Sequence, residues 1–289
     1  MKNTLHRAKP LWLWVFALAT VLTLGACSVA RLAYNNAPTV LNYFLDDYFD
    51  LTNEQETWLN PRWKKLVEWH RENELPIYKK LLLQSKEKIA TEMSGKDINA
   101  LYLEGRATAG RTTEFFVADM ASFVAMLSPA QVNFLEAKYN KDNAKIAKEM
   151  ARPIEKQKKD RLNRYIERYE DQFGTLIPAQ TAKITQVISA LAPYDELRLE
   201  DRKRVQAETL KMLRNHAQDT KIVTETIRSL VQDIEAKRTP AYQLVVQEQA
   251  WQVADLTAWL INNASPKQKA KVIAQVESYV RDITGLLKP

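Results

Sequence analysis

The stretch LTNEQ at residues 51–55 recurs as LSPAQ at residues 127–131, and from this pattern the fold can be predicted. In both, a Thr or Ser stands three residues before a Gln, which is the spacing of a helix capping box. The cap hydroxyl accepts a hydrogen bond from the third helical N–H, and the Gln side chain accepts one from the cap N–H. Pro129 suits the first helical position, because the N–H that it lacks has no partner in any helix. Each stretch therefore predicts the start of an α-helix.

Two further stretches carry weaker copies of this pattern. ASPKQ at residues 264–268 keeps the Ser and the Gln, whereas LIPAQ at residues 176–180 keeps only the Pro and the Gln. Ile177 has no hydroxyl, so it cannot cap a helix through its side chain. The first residues of the two pairs of stretches lie 76 and 88 positions apart. This spacing favours a diverged duplication with halves at residues 39–174 and 175–289, although other residues match poorly between the halves.

The rest of the chain has the pattern of a nearly all-helical protein. Apolar residues recur at three- and four-residue steps, for example Trp58, Leu59, Trp63, Leu66 and Val67. Gly-rich turns and alternating strand patterns are scarce. The glycines after Cys27 are too widely spaced for a phosphate-binding loop or a dinucleotide fingerprint: Gly95, Gly105, Gly110, Gly174 and Gly285. We therefore predict an all-α fold, a multi-helix bundle of amphipathic helices that bury their apolar faces against one another.

The N-terminal stretch has the features of a secretory signal peptide. Lys2, Arg7 and Lys9 precede an uninterrupted apolar run of 14 residues at positions 11–24. A relaxed transmembrane helix needs about 20 residues, so this run suits the apolar region of a signal peptide better. Residues 1–26 are predicted to be removed.

The sequence LGAC at residues 24–27 resembles the bacterial lipobox. That resemblance implies that the Cys27 thiol carries a diacylglyceryl group, that the chain is cut before Cys27, and that the new amine is acylated with a fatty acid such as palmitate. The sorting rules of such lipoproteins, with Ser28 next to the lipid, imply the outer membrane. An ordinary signal peptide with a chance Cys, or an uncleaved signal anchor, remains the alternative.

The composition of the mature chain, residues 27–289, limits its partners. Removing three basic residues leaves 39 basic and 35 acidic residues, a net charge of +4. An envelope location makes nucleic acid an unexpected partner, so anionic lipid, cell-wall polymer or unfolded client proteins are the partners we consider. Cys27 is the only Cys, which excludes an intrachain disulfide. Oligomeric state is not predicted.

Residues 27–38 are predicted to be the lipidated Cys with a short tether, and residues 39–289 the helical periplasmic body. The tether has no Gly/Ser run, and its 11 residues after Cys27 reach at most about 36–40 Å when fully extended. The body is therefore expected close to the bilayer. The apolar residues between 40 and 49 predict a short helix that is either part of the core or faces the membrane or a partner.

The sequence RLAYNNA at residues 31–37 resembles the signature of an uncharacterised family of Gram-negative lipoproteins, a domain of unknown function. The similarity continues in LDDY, LTNEQ, WH and ELPIY, whose last stretch covers residues 74–78. The resemblance implies the class of protein, a lipoprotein, and its location in the cell envelope. It implies no activity, because the family has none established, so no catalytic residue is carried over.

The four box stretches also resemble the LTxxQ motif of the periplasmic Spy/CpxP family of chaperones and stress sensors. This second resemblance covers only four five-residue stretches and implies chaperone-like holding of clients. Plain helix capping is the alternative explanation, because capping boxes occur in many helical proteins.

The two histidines of the mature chain, His70 and His216, both lie at core-facing helical spacings. We expect packed, hydrogen-bonded side chains, since two His without Cys do not form a common zinc site. Glu68, His70 and Glu74 are the one candidate acid/base group. His70 and Glu74 are four residues apart, which ordinary helix pairing explains, and no nucleophile motif flanks them. The sequence therefore predicts no catalytic residue, no metal and no cofactor.

One segment, residues 152–168, carries seven basic and three acidic residues. Its net charge equals that of the whole mature chain, so it is the candidate contact for anionic headgroups or the cell wall. A solvated helix face is the alternative. The candidate contact residues are Lys156, Lys158, Lys159, Arg161 and Arg164.

These observations predict an outer-membrane lipoprotein with a helical periplasmic body that is not an enzyme. Its expected role is interaction in the envelope or chaperone-like holding of unfolded proteins. A lipid- or small-ligand-binding protein with a pocket between the halves is the alternative, and a hydrolase that uses His70 is a third.

Overall fold

The computed structural model describes residues 27–232 and 235–287, and the predicted signal peptide lies outside them. The all-α prediction is confirmed, since these residues form helices and no strand. In chain order the helices are α1 Cys27–Asn35, α2 Ala37–Phe49, α3 Asn53–Asn73, α4 Leu75–Ala90, α5 Gly95–Ala125, α6 Pro129–Met150, α7 Ile154–Phe173, α8 Pro178–Ala190, α9 Asp195–His216, α10 Thr220–Gln232, α11 Pro240–Asn262 and α12 Pro266–Leu286.

The predicted capping boxes start three of these helices. Thr52 caps α3, Ser128 caps α6 and Ser265 caps α12, and each accepts the N–H of the third helical residue at 3.2 Å. Ile177 precedes α8 and has no acceptor in its side chain. There the Gln180 N–H donates to the Ile177 carbonyl at 2.9 Å, while the Gln180 side chain still accepts the Ile177 N–H at 3.1 Å.

The glutamines of the first two boxes are bonded to each other. Gln55 donates to Gln131 Oε1 at 3.1 Å, and Gln131 donates to Gln55 Oε1 at 2.7 Å. Each also donates to the carbonyl two residues before its partner's cap, Gln55 to Met126 at 3.1 Å and Gln131 to Asp50 at 3.2 Å. The starts of α3 and α6 are therefore joined through two buried amides.

The other two glutamines repeat this arrangement. Gln180 and Gln268 donate to each other at 3.1 and 2.9 Å. Gln180 also donates to the Asn263 carbonyl at 3.4 Å, and Gln268 to the Thr175 carbonyl at 3.0 Å. The starts of α8 and α12 are thus joined in the same way as those of α3 and α6.

The buried apolar side chains form two large cores. The first core combines α2, α3, α5 and α6 with α9 and α10, which contribute Met212, Leu213, Val223 and Ile227. The second core combines α7, α8, α11 and α12 with Ile89 of α4. Each core therefore takes helices from both sides of residue 174, the boundary that the box spacing predicts. The duplication itself stays a prediction.

The segment predicted as a tether is helical. α1 begins at Cys27, and a single residue, Asn36, separates it from α2. The Asn36 N–H donates to the Leu32 carbonyl at 3.0 Å and ends α1, and the Val40 N–H donates to the Asn36 carbonyl at 3.1 Å and begins α2. At 1.5 Å per residue, α1 is about 13 Å long, much shorter than an extended chain.

Among the residues that the structure describes, no single helix is both long enough and apolar enough to cross a membrane. α5 and α6 reach that length and composition only as a pair, and they meet at 112°. Within the same residues, no group of three or more His, Cys, Asp and Glu side chains is placed to hold a metal ion.

Candidate functional site

The site begins at α1, which an ion pair fastens to α12. Arg31 Nε lies 3.3 Å from Asp282 Oδ1, and the Asp282 side chain is almost fully buried. One turn further along α12, Gly285 leaves room for the guanidinium, since a Cβ there would lie 3.0 Å from Arg31 Nη1. A Cβ at position 285 would therefore force the Arg31 guanidinium to shift by a few tenths of an ångström.

A second contact, from Tyr34, fastens α1 to α3. The Tyr34 hydroxyl lies 3.0 Å from Nδ1 of His70 and 3.3 Å from the Val67 carbonyl oxygen. The His70 ring lies between the rings of Tyr34 and Tyr78, at 5.9 Å from each centroid. Arg31 and Tyr34 are three residues apart, so one face of α1 carries both contacts.

Burial keeps this tyrosine–histidine group uncharged. It lowers the pKa of His70 from 6.5 to about 4, with the Glu74 carboxylate opposing the change. It also raises the pKa of the Tyr34 and Tyr78 hydroxyls above their usual range. At neutral pH the three side chains therefore form a neutral, hydrogen-bonding contact.

Below His70 a buried ion pair joins the α3–α4 junction to α5. Arg111 Nε and Nη2 donate to the two carboxylate oxygens of Glu74 at 2.9 and 2.8 Å. Arg111 Nη2 also donates to Glu104 at 3.1 Å and to Thr108 at 2.9 Å. The Glu74 side chain is 1% exposed, so this two-pronged pair compensates an otherwise uncompensated buried charge.

The three side chains of the candidate acid/base group have separate hydrogen-bond partners or face solvent in this arrangement. His70 is bonded to Tyr34, Glu74 is bonded to Arg111, and Glu68 is exposed. The prediction of a packed, hydrogen-bonded His70 is confirmed. The same prediction for His216 is wrong, because this last residue of α9 is only partly buried and lies in a surface depression formed by residues 214–220.

The structure brings together the stretches that carry the lipoprotein resemblance. Arg31 and Tyr34 come from RLAYNNA, His70 from WH, and Glu74 and Tyr78 from ELPIY. Sequence reasoning left these stretches separate, and it missed two partners that lie far away in the chain, Asp282 and Arg111. The spacing of Arg31 and Tyr34 on one helical face was the available signal.

Comparison with known proteins gives one match. The family of unknown function DUF6279 matches residues 47–243, more than half of the chain. The chain belongs to this family. No curated protein and no solved structure matches it.

The matched range includes the first three box stretches, most of the tyrosine–histidine contact and the basic segment, but not α1 or α12. The contact between α1 and α12 thus joins two parts of the chain that flank the family match. The family carries no described function, so its name assigns no role to these residues.

The basic segment forms α7, and its candidate residues have different surroundings. Lys156, Lys159 and Arg164 are exposed, and Lys158, also exposed, is bonded to Glu155 at 3.0 Å. Arg161 is partly buried and donates to the Leu191 carbonyl at 2.9 Å, which ties α7 to the end of α8. Four of the five candidate residues are therefore available at the surface.

Proposed function

We propose that the protein is anchored by acyl chains on Cys27 and acts, without catalysis, as an interaction protein on the periplasmic side of the outer membrane. The observation that carries this is the docking of α1. Cys27 lies in α1, and Arg31 and Tyr34 fasten this helix to the body. An anchor on Cys27 would hold the whole body directly at the bilayer. Each buried methylene of an acyl chain contributes about 0.8 kcal/mol, so a single chain binds a membrane only marginally. Several chains on Cys27 would hold the protein firmly.

Fractionation of cells that express Cys27→Ser tests the anchor. We expect this variant in the soluble fraction and the matched Ser28→Ala variant in the membrane. Mass spectrometry of the N-terminal peptide should find acyl groups on the wild type only. A Cys27→Ser protein that stays in the membrane would contradict the anchor. Ser28→Asp should move the protein to the inner membrane if the outer-membrane location is correct.

Client proteins are the partners that the box resemblance favours. Large apolar side chains are exposed on α5 and α11, among them Leu103 at 53% and Leu244 at 58%. Such side chains could contact unfolded chains, and the test is suppression of client aggregation by wild type and by a Leu103→Ser/Leu244→Ser variant. Equal suppression of aggregation by both proteins would contradict a client-binding role of these leucines.

Anionic polymers or headgroups are the partners that α7 favours. Its exposed lysines lie on one short stretch, and a body held at the bilayer would bring them near anionic groups. Reversal of Lys156, Lys158 and Lys159 to Glu should reduce sedimentation with anionic vesicles or isolated cell wall. Unchanged sedimentation would leave α7 as a solvated face.

A small-ligand role is the second candidate, and a groove between α6 and α9 favours it. The groove has a volume of about 410 Å³ and is lined mainly by polar side chains that include Asn143 and Gln206. Next to it on α6 lies Asp142, which has no exposed surface. Its carboxylate oxygens have no hydrogen-bond partner among the described residues, and Lys145 Nζ and Arg202 Nη2 lie 3.6 and 4.0 Å from them. Extraction and mass spectrometry of the purified protein, with Asp142→Asn as control, would detect a bound ligand.

A further inference from the structure

We propose that the outward face of α1 and α2, from Leu32 to Tyr43, lies in the headgroup region of the bilayer that holds Cys27. This inference rests on the proposed anchor and adds a second, protein-made contact with the same membrane. It defines which side of the helical body faces the lipid.

The first observation is the composition of the face. Residues 32–45 contain no charged side chain, in a chain of which 27% is charged. Tyr43 and Leu32 are 67% and 64% exposed, the highest values among the large apolar side chains that the structure describes. Exposing both to water has no evident benefit for folding, whereas an interfacial helix needs such side chains on its lipid side.

The second observation is that the two side chains share one side of the helix. They are 11 residues apart, which is about three helical turns. Exposed residues recur at four- and three-residue steps across the break between α1 and α2, at Leu32, Asn36, Thr39 and Tyr43, although Asn36 itself has non-helical backbone angles. The exposed residues between them on this side, Asn36 and Thr39, are polar but uncharged. The face is therefore a stripe about 16 Å long without a charge.

The third observation is its position relative to the anchor. Leu32 follows Cys27 by five residues, about 7–8 Å along the helix axis. The contacts of Arg31 with Asp282 and of Tyr34 with His70 fix α1 on the body. The body therefore cannot rotate independently of α1. A Tyr ring has an apolar body and a polar hydroxyl, which suits the boundary between acyl chains and water.

The charged residues that flank the stripe are bonded to the protein itself. Arg31 precedes it and is paired with Asp282. Beyond it, Asp46 accepts the Leu51 N–H at 2.8 Å, and Asp47 is bonded to Lys138 at 2.6 Å. These contacts pair the neighbouring charges with groups of the body, while the Arg31 and Asp47 side chains stay 47% and 57% exposed at the two ends of the stripe.

Depth-dependent quenching of a fluorescent label tests this face. Because acylation occupies Cys27, an engineered Cys is the only free thiol of the purified lipoprotein. We would label Tyr43→Cys and Leu32→Cys, with Leu244→Cys and Leu103→Cys as exposed controls on other helices. The labelled proteins are placed in phosphatidylethanolamine/phosphatidylglycerol vesicles that carry a nitroxide on the headgroup. Quenching several-fold stronger at positions 32 and 43 than at 244 and 103 is the expected result.

Position 43 decides the outcome, because position 32 would lie near lipid through the anchor alone. Acylated protein in which position 43 is quenched no more than position 244 would overturn the face and leave the anchor intact. Shielding of position 43 from both the lipid quencher and aqueous iodide would overturn it in favour of a protein partner or a second copy. Absence of acyl groups on Cys27 by mass spectrometry would overturn the anchor and, with it, this inference.

Discussion

The Gln55–Gln131 pair joins two helices of the first core, and the Gln180–Gln268 pair joins two of the second. Both pairs make the same four bonds, two between the amides and two to backbone carbonyls. They differ at one helix cap, where Ile177 replaces the Thr or Ser of the other three helices. The amide contact thus persists where the hydroxyl is absent. We infer that the glutamines, and not the hydroxyls, are the part of the box that joins the helices.

Separating the chain at the predicted boundary should have the largest effect on stability. Residues 39–174 lack the α9 and α10 side chains of the first core, and residues 175–289 lack the α7 and α4 side chains of the second. We expect neither fragment to show a cooperative thermal transition by circular dichroism, and co-expression to restore one. The reference is residues 27–289 with Cys27→Ser. A cooperative transition in either fragment alone would contradict the shared cores.

Gln180→Leu should have the next largest effect. Gln180 has no exposed surface, and its loss leaves Gln268, the Ile177 N–H and the Asn263 carbonyl with unmet hydrogen bonds. Of these groups the Gln268 side chain is buried, whereas Ile177 is half exposed and Asn263 is exposed. A buried unmet group costs about 1–3 kcal/mol, so we expect a loss of that size in the free energy of unfolding in urea.

Gln55→Leu should cost less than Gln180→Leu, because the Thr52 hydroxyl still caps α3. The exposed Gln247→Leu serves as the neutral control. Equal losses for Gln55→Leu and Gln180→Leu would show that the hydroxyl cap adds nothing to the joint.

Acid should weaken the α1 contact and leave both glutamine pairs intact, because amides do not titrate. His70 has a lower pKa in the folded state than in the unfolded state, so the unfolded state binds more protons between about pH 6.5 and pH 4. Stability is therefore lost as the pH falls through that window, by about 2–3 kcal/mol at its lower end. Urea titrations of wild type and His70→Gln should diverge there. Parallel curves would exclude His70 as the source.

The smallest effect is expected from the helix caps, in which the two glutamine pairs differ. Ile177 is half exposed, so Ile177→Ser should add a cap to α8 at little packing cost. A Ser cap is worth about 0.5–2 kcal/mol, and we expect a gain near the lower limit. Thr52→Val removes the hydroxyl that caps α3, and it should cost a similar amount of stability. A loss of stability in Ile177→Ser would mean that the apolar contact of Ile177 outweighs the cap.

Local signals in the sequence were sufficient for three of the helix starts. Capping depends on neighbouring residues, so Thr52, Ser128 and Ser265 could be identified without any knowledge of packing. The pairing of Gln55 with Gln131 could not, because nothing local states which two helix starts meet. The same holds for Arg31 with Asp282 and for Arg111 with Glu74, which are contacts between distant segments.

Two sequence interpretations failed or changed for physical reasons. His216 has a core-facing spacing, but α9 ends at that residue, so no further turn covers it. Residues 28–35 contain no Gly, no Pro and only one Ser, so a helix forms where a tether was expected.

The ion pair between Arg31 and Asp282 also orders the events of folding. It joins the first described helix to the last, so this contact forms only after α12 has reached its place, whereas Tyr34 finds its partner on α3. Contacts between such distant segments form slowly, because the long loop between them must close first. We therefore expect the contact between α1 and α12 to form later than the contact between α1 and α3.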